Sequence, residues 1–86
     1  MISDVIIKDL KVIPDERGSI MHMIKNINND FVFGEIYFST SYPNVIKGWH
    51  EHTKQTQNYA VIRGMIKLVL YDNRENSSTY KKIQEI

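Results

Sequence analysis

Short runs rich in Ile, Val, Tyr and Phe, each stopped within a few residues by Gly, Pro or Asn, recur along this whole chain. That punctuation constrains the fold more than any other feature. No segment sustains apolar residues at the 3.6-residue helical period, whereas β-branched and aromatic residues between turn formers are the mark of strands. Residues 5–7 and 10–13 predict a first strand or pair of strands, and Pro14-Asp15-Glu16-Arg17-Gly18 supplies the residues of a tight turn. Residues 19–25 predict a returning strand, 26–30 a polar loop, and 32–40 a strand with Phe33, Ile36 and Phe38 among smaller or polar residues. Tyr42-Pro43-Asn44 reads as a second turn. Residues 58–63 and 65–71 predict two paired strands about Gly64, with Ile66, Leu68 and Leu70 on one face and Lys67, Val69 and Tyr71 on the other. Residues 72–78 form a turn-rich loop, and a new element begins before Ile86.

Strands at this spacing, about ten residues apart, predict an all-β sandwich or barrel in a single domain over residues 1–86. At about ten residues per strand and turn, 86 residues hold roughly six or seven strands. An eight-strand jelly roll is therefore expected to be incomplete, its last strands missing or supplied by a partner. A chain this short buries only about 60–65% of the surface its unfolded form exposes, so a core of its own is thin.

Charge and composition exclude several classes of function. Eleven basic residues against ten acidic ones leave a net charge of +1, far from the basic excess of a protein that follows a phosphate backbone, so nucleic acid is not expected as a partner. The Lys and Arg residues after Arg63 alternate with apolar residues, as on the wet face of a strand. The hydrophobic share of 42% is ordinary, and no run approaches the roughly 20 apolar residues of a membrane span. Met1-Ile2-Ser3-Asp4 lacks the basic and apolar regions of a secretory signal, and there is no cysteine; both fit a cytoplasmic protein.

The segment that carries chemistry is Gly48-Trp49-His50-Glu51-His52, followed by Gln57 and Gly64. Two histidines at i and i+2 on a strand share a face, so both rings can converge on one ligand. The spacing of His52, Gln57 and Gly64 resembles the second half of the first cupin motif, in which two His and a Glu ligate a metal. Here the carboxylate position holds Gln57, an uncharged amide. A stable site for Zn, Fe or Ni usually takes three or more protein ligands, often with a carboxylate. No metal or other cofactor is expected; were one present, His50, His52 and Gln57 would be its ligands.

A second resemblance spans nearly the whole chain. Asp15-Glu16-Arg17-Gly18, Phe33-Gly34-Glu35, Ser39-Thr40-Ser41, Lys47-Gly48-Trp49-His50, Arg63-Gly64, Asp72-Asn73-Arg74 and Ser77-Ser78-Thr79-Tyr80 follow, in order, the motifs of the dTDP-4-dehydrorhamnose 3,5-epimerase family. The chain resembles the front portion of those enzymes, and Lys47-Gly48-Trp49-His50 with His52, Gln55 and Thr56 is similar to a shorter-looped subgroup. The resemblance implies a cupin-type jelly-roll barrel, incomplete in this chain, that acts on a dTDP-4-keto-6-deoxyhexose. It implies His50 as the catalytic base and Lys47 as the cation that stabilises the enolate, a role for which Lys offers a point charge where the family has the planar fork of Arg. It also implies substrate contacts from Arg17, Glu35, Gln57, Tyr59 and Arg74, with Tyr59 a platform for the thymine base. Glu35 stands at a family Gln and His22 at a family Glu. The Asp that supports the base and the Tyr that returns the proton belong to the family's second half, for which these residues offer no match.

Three functions are open on this reading: epimerisation at C3, C5 or both, 3,4-ketoisomerisation, and sugar binding without turnover. Ser39-Thr40-Ser41 and Asp15-Glu16-Arg17-Gly18 favour the first. A half-closed barrel leaves an unpaired strand edge, which predicts a homodimer or larger homo-oligomer.

Overall fold

The computed structural model describes residues 1–25 and 32–86, and the loop expected at 26–30 lies outside them. The described residues are all-β, with four short strands and no helix: β1 (Val12–Asp15), β2 (Gly18–Met21), β3 (Val69–Tyr71) and β4 (Ile83–Glu85). They pair as two separate antiparallel two-stranded sheets, β1 with β2 and β3 with β4. The chain divides into two units, one of residues 1–23 with 60–86 and one of residues 24–59.

The first hairpin forms where the turn residues predict it. Val12 faces Met21 and Asp15 faces Gly18, so Glu16 and Arg17 make a two-residue loop. Gly18 takes a φ of +144°, a conformation that side-chain-bearing residues rarely adopt, which is why a glycine closes this turn. Asp15 reinforces it by accepting the Arg17 backbone N–H at 2.8 Å. His22 N–H donates to Lys11 O at 2.9 Å, carrying the ladder one step past β1 and β2. Pro14, opposite Ser19, has no N–H to give a further strand, as suits an edge.

In the second hairpin Val69 faces Glu85 and Tyr71 faces Ile83. Leu68 and Ile86 exchange both backbone bonds, at 3.0 and 2.8 Å, and extend the pair. The connection folds on itself through Ser77 N–H to Arg74 O and Lys82 N–H to Thr79 O, and closes where Lys81 N–H reaches Asp72 O at 2.7 Å. Burial gathers here. Ile2 is the buried apolar residue and Asp72 the buried polar one among the described residues, with Leu68, Val69, Leu70, Thr79, Tyr80 and Gln84 half-buried. The N-terminus is tied to this hairpin, as Ile2 N–H donates to Gln84 Oε1 at 2.9 Å and Ser3 N–H to Thr79 Oγ1 at 3.0 Å.

The strands expected at 32–40 and 58–63 are not formed, and of 65–71 only Val69–Tyr71 is a strand. β1 likewise starts at Val12 rather than at residue 5 or 10, and β2 stops at Met21 rather than at 25. Gly64, at φ +85°, does turn the chain, but β3 pairs with β4 instead of with residues 58–63. The physical reason is shared. A strand is defined by the ladder it enters, and β-propensity without a hydrogen-bonded neighbour leaves an extended segment. Every described residue of the 24–59 unit is exposed.

Candidate active site

Most of the residues singled out from sequence lie in the 24–59 unit: Glu35, Lys47, His50, His52, Gln57 and Tyr59. Lys47 folds back on the segment eight residues before it. Its Nζ donates to Ser39 Oγ at 3.3 Å and to Thr40 O at 2.5 Å, so the Ser39-Thr40-Ser41 element fixes where the ammonium sits. Of the three donors of this ammonium, two have partners among the described residues. His50 follows three residues later and is exposed; among the described residues no group is hydrogen-bonded to its ring. Glu35 is exposed as well.

His52 is held differently from His50. Its Nε2 lies 3.0 Å from Gln57 Nε2, and Tyr59 Oη donates to Gln57 Oε1. An amide nitrogen only donates, so His52 Nε2 accepts and the neutral ring carries its proton on Nδ1. One side chain thus sets the tautomer of the next. The donor set of His50, His52 and Gln57 does not suit a metal, because it contains no carboxylate and the Gln57 amide occupies the lone pair that His52 would give from Nε2. Among the described residues there is no group of three or more His, Cys, Asp or Glu arranged to hold a metal ion.

Arg17 and Arg74 belong to the other unit. Arg17 stands at the tip of the first hairpin, its side chain 84% exposed, with Nη2 on Asp15 Oδ2 at 2.8 Å. That guanidinium holds the Asp15 carboxyl below the ordinary carboxylate range, helped by the Arg17 backbone N–H.

Arg74, its side chain half-exposed, is committed to partners within the protein. Nε and Nη2 grip the two oxygens of Asp72 at 2.8 and 2.9 Å, Nη1 pairs with Asp4 Oδ2 at 2.8 Å, and Nη2 also donates to Ser3 O at 2.8 Å. Asp72, with its side chain 1% exposed, further accepts Ser77 Oγ and Thr79 Oγ1, both at 2.6 Å. Arg74 chiefly, then Ser77 and Thr79, hold this carboxyl far below its usual range, and Asp72 chiefly, then Asp4, hold Arg74 still more firmly protonated. The sequence pattern contains Asp72, Arg74, Ser77 and Thr79 but not the fact that they bind one another. A spacing of two, five and seven residues from Asp72, within a loop rich in hydroxyls, was the available signal.

Comparison with known proteins bears on this arrangement. The chain is 36% identical over 84 residues to a probable low-salt glycan biosynthesis epimerase of Haloferax volcanii, covering 91% of this chain and 52% of that protein. It is 39% identical over 80 residues to a spore coat polysaccharide biosynthesis protein of Bacillus subtilis, covering 92% and 53%. A UDP-2-acetamido-2,6-beta-L-arabino-hexul-4-ose reductase of Pseudomonas aeruginosa is 33% identical over 57 residues, 66% of this chain and 14% of that protein. The chain thus spans about half the length of the first two relatives. No solved structure matches it significantly. The family described as dTDP-4-dehydrorhamnose 3,5-epimerase matches over residues 1–86, a stretch that includes all the ordered motifs from Asp15 to Tyr80, and to that family the chain belongs.

Proposed function

We propose that this chain is the base-bearing part of a cupin-type nucleotide-sugar epimerase that inverts C3, C5 or both of a dTDP-4-keto-6-deoxyhexose. The observation that supports this most is Lys47, held by Ser39 and Thr40, three residues in sequence before His50, whose ring has no bonded partner among the described residues. In this reading the neutral imidazole of His50 takes the proton from the carbon beside the ketone, and the electron pair left behind delocalises to the carbonyl oxygen. Lys47 Nζ faces that oxygen as charge develops on it, the point at which an oriented cation lowers the barrier. A proton delivered to the opposite face of the carbon by an acid outside these residues, as the family resemblance implies, completes inversion, and His50 then gives up the proton it took. Arg17, Glu35, Gln57, Tyr59 and Arg74 are the substrate contacts of the same reading. For Arg17 one exposed guanidinium edge is suited to a diphosphate. The work belongs in the cytoplasm, where nucleotide sugars are made; no helix among the described residues is long and apolar enough to cross a membrane.

The test is exchange of the sugar C3 and C5 protons with deuterated solvent, using dTDP-4-keto-6-deoxyglucose and mass or proton NMR detection. His50→Ala is expected to lower exchange by about 10²- to 10⁴-fold, the usual worth of a general base, while dTDP binding stays within a few fold. Accumulation of a 3-keto product would assign the chain to 3,4-ketoisomerisation instead. Binding of dTDP without any exchange would make it a sugar-binding module.

A further inference from the structure

We infer that Tyr59, Gln57 and His52 form a relay that presents His52 Nδ1–H as a fixed, neutral donor to an oxygen of the sugar, so that His52 binds substrate and the other two position it. The inference rests on the nucleotide-sugar reading above and deepens it. Tyr59 Oη donates to Gln57 Oε1, and Gln57 Nε2 lies 3.0 Å from His52 Nε2. Each link fixes the next. The phenol takes the amide oxygen, which turns the amide nitrogen toward the imidazole, and a nitrogen that only donates makes His52 Nε2 the acceptor. The ring proton is then on Nδ1, where the described residues offer it no acceptor. A carboxylate at position 57 could only accept, and would draw the proton to Nε2 instead.

Both nitrogens of His52 are thereby assigned, and what is left toward a ligand is one N–H. Such a ring gives a hydrogen bond and accepts none, so it selects a hydroxyl, carbonyl or phosphate oxygen and refuses an ammonium, which itself only donates. The sugar is the part of the ligand it meets. Residues 50–52 lie in neither helix nor turn, and positions two apart on an extended stretch share a side, which sets His52 beside His50, the base of that reading. Holding the tautomer in advance also spares the complex the cost of choosing it on binding. Besides any contact of their own, Gln57 and Tyr59 act on the sugar through His52.

The test titrates the 86-residue chain, its histidines labelled with nitrogen-15, with dTDP-4-keto-6-deoxyglucose and separately with dTDP, by calorimetry and NMR. The sugar nucleotide is expected to move the His52 Nδ1–H proton resonance downfield and slow its exchange with water, and dTDP to leave it in place. His52→Leu should weaken binding of the sugar nucleotide by roughly three- to tenfold, the worth of one neutral hydrogen bond, without a matching loss for dTDP. His52→Asn, whose amide nitrogen can stand where Nδ1 stood, should recover most of that loss. Gln57→Leu and Tyr59→Phe should lose less than His52→Leu, with the ring proton in both now shared between the two nitrogens. Because His52 is exposed, these changes should leave the spectrum of the free chain otherwise unaltered. An Nδ1–H indifferent to the sugar nucleotide, or His52→Leu binding it within twofold of the unaltered chain, would overturn the inference while leaving proton exchange by His50 intact. An equal loss for dTDP would overturn it in favour of a phosphate contact. An unaltered chain that binds neither ligand would fail the nucleotide-sugar reading itself, and the inference with it.

Discussion

Replacement of Ile2 by Ala tests where the stability of this chain resides. Ile2 is only 7% exposed, and its backbone N–H is held by Gln84 near the β3–β4 hairpin. Alanine lacks three of its carbons, each worth roughly 0.8 kcal/mol when buried, which gives about 2 kcal/mol. That is the low end of the range of about 2–5 kcal/mol for Ile→Ala, as expected near a chain end that can collapse into the space. A chain of this length has on the order of 4–13 kcal/mol in all, and one with so few buried side chains sits at the bottom of that range. The loss is thus a large share of the whole, about a 30-fold change in the folded-to-unfolded ratio. Urea unfolding should show a midpoint lower by about 1–2 M at unchanged slope. Backbone amide exchange should accelerate at Leu68 and Ile86, whose mutual bonds end the ladder. Ile6, 84% exposed, is the control, and Ile6→Ala should cost less than about 0.5 kcal/mol. Equal effects of the two substitutions would refute the assignment of the core to the N-terminus and the second hairpin.

Acid should loosen the same hairpin. The Asp72 carboxyl lies far below its unfolded value, so its contribution is complete above the ordinary carboxylate pKa, about 4, and is lost as pH falls toward the folded value. Asp72→Asn should lower stability at neutral pH and flatten its acid dependence, read by unfolding at several pH values; an unchanged slope would count against the Arg74 pairing as its cause. For the His52 relay, nitrogen-15 NMR of the histidine rings should find His52 with its proton on Nδ1, and Gln57→Leu should return it to the mixture of tautomers seen in free imidazole. A ring protonated on Nε2 in the unaltered chain would contradict the amide orientation. Elemental analysis of the purified chain should find no stoichiometric Zn, Fe or Ni, given a donor set without a carboxylate. One metal per chain, lost in His52→Ala, would reverse that.

The motifs and the turns were legible because each depends on a few neighbouring residues. Asp15 to Gly18 closes a hairpin through a side-chain bond two residues long and a glycine at positive φ, both local. The order of motifs from Asp15 to Tyr80 sufficed to reach the family. The strands expected at 32–40 and 58–63 did not form, since whether such residues enter a ladder depends on a neighbour that their own pattern does not contain. The bonds of Gln57 and Arg74 within the protein were likewise hidden, because their reach to His52, Tyr59, Asp72 and Asp4 depends on side-chain directions that spacing does not give.

By itself, then, the sequence determined the β character of the chain and the position of its first turn. These are properties of composition and of residues a few places apart. Tertiary structure decided which extended segments found partners, and it brought Ser3 and Asp4 to Arg74 across some seventy residues of chain. It also decided that Asp72 is buried among donors while Phe33, Ile36 and Phe38 remain in water. Those outcomes follow from the reach of the forces involved: turn and capping bonds act within a few residues, but burial and strand pairing require a second surface, and for residues 32–38 that surface is not among the described residues.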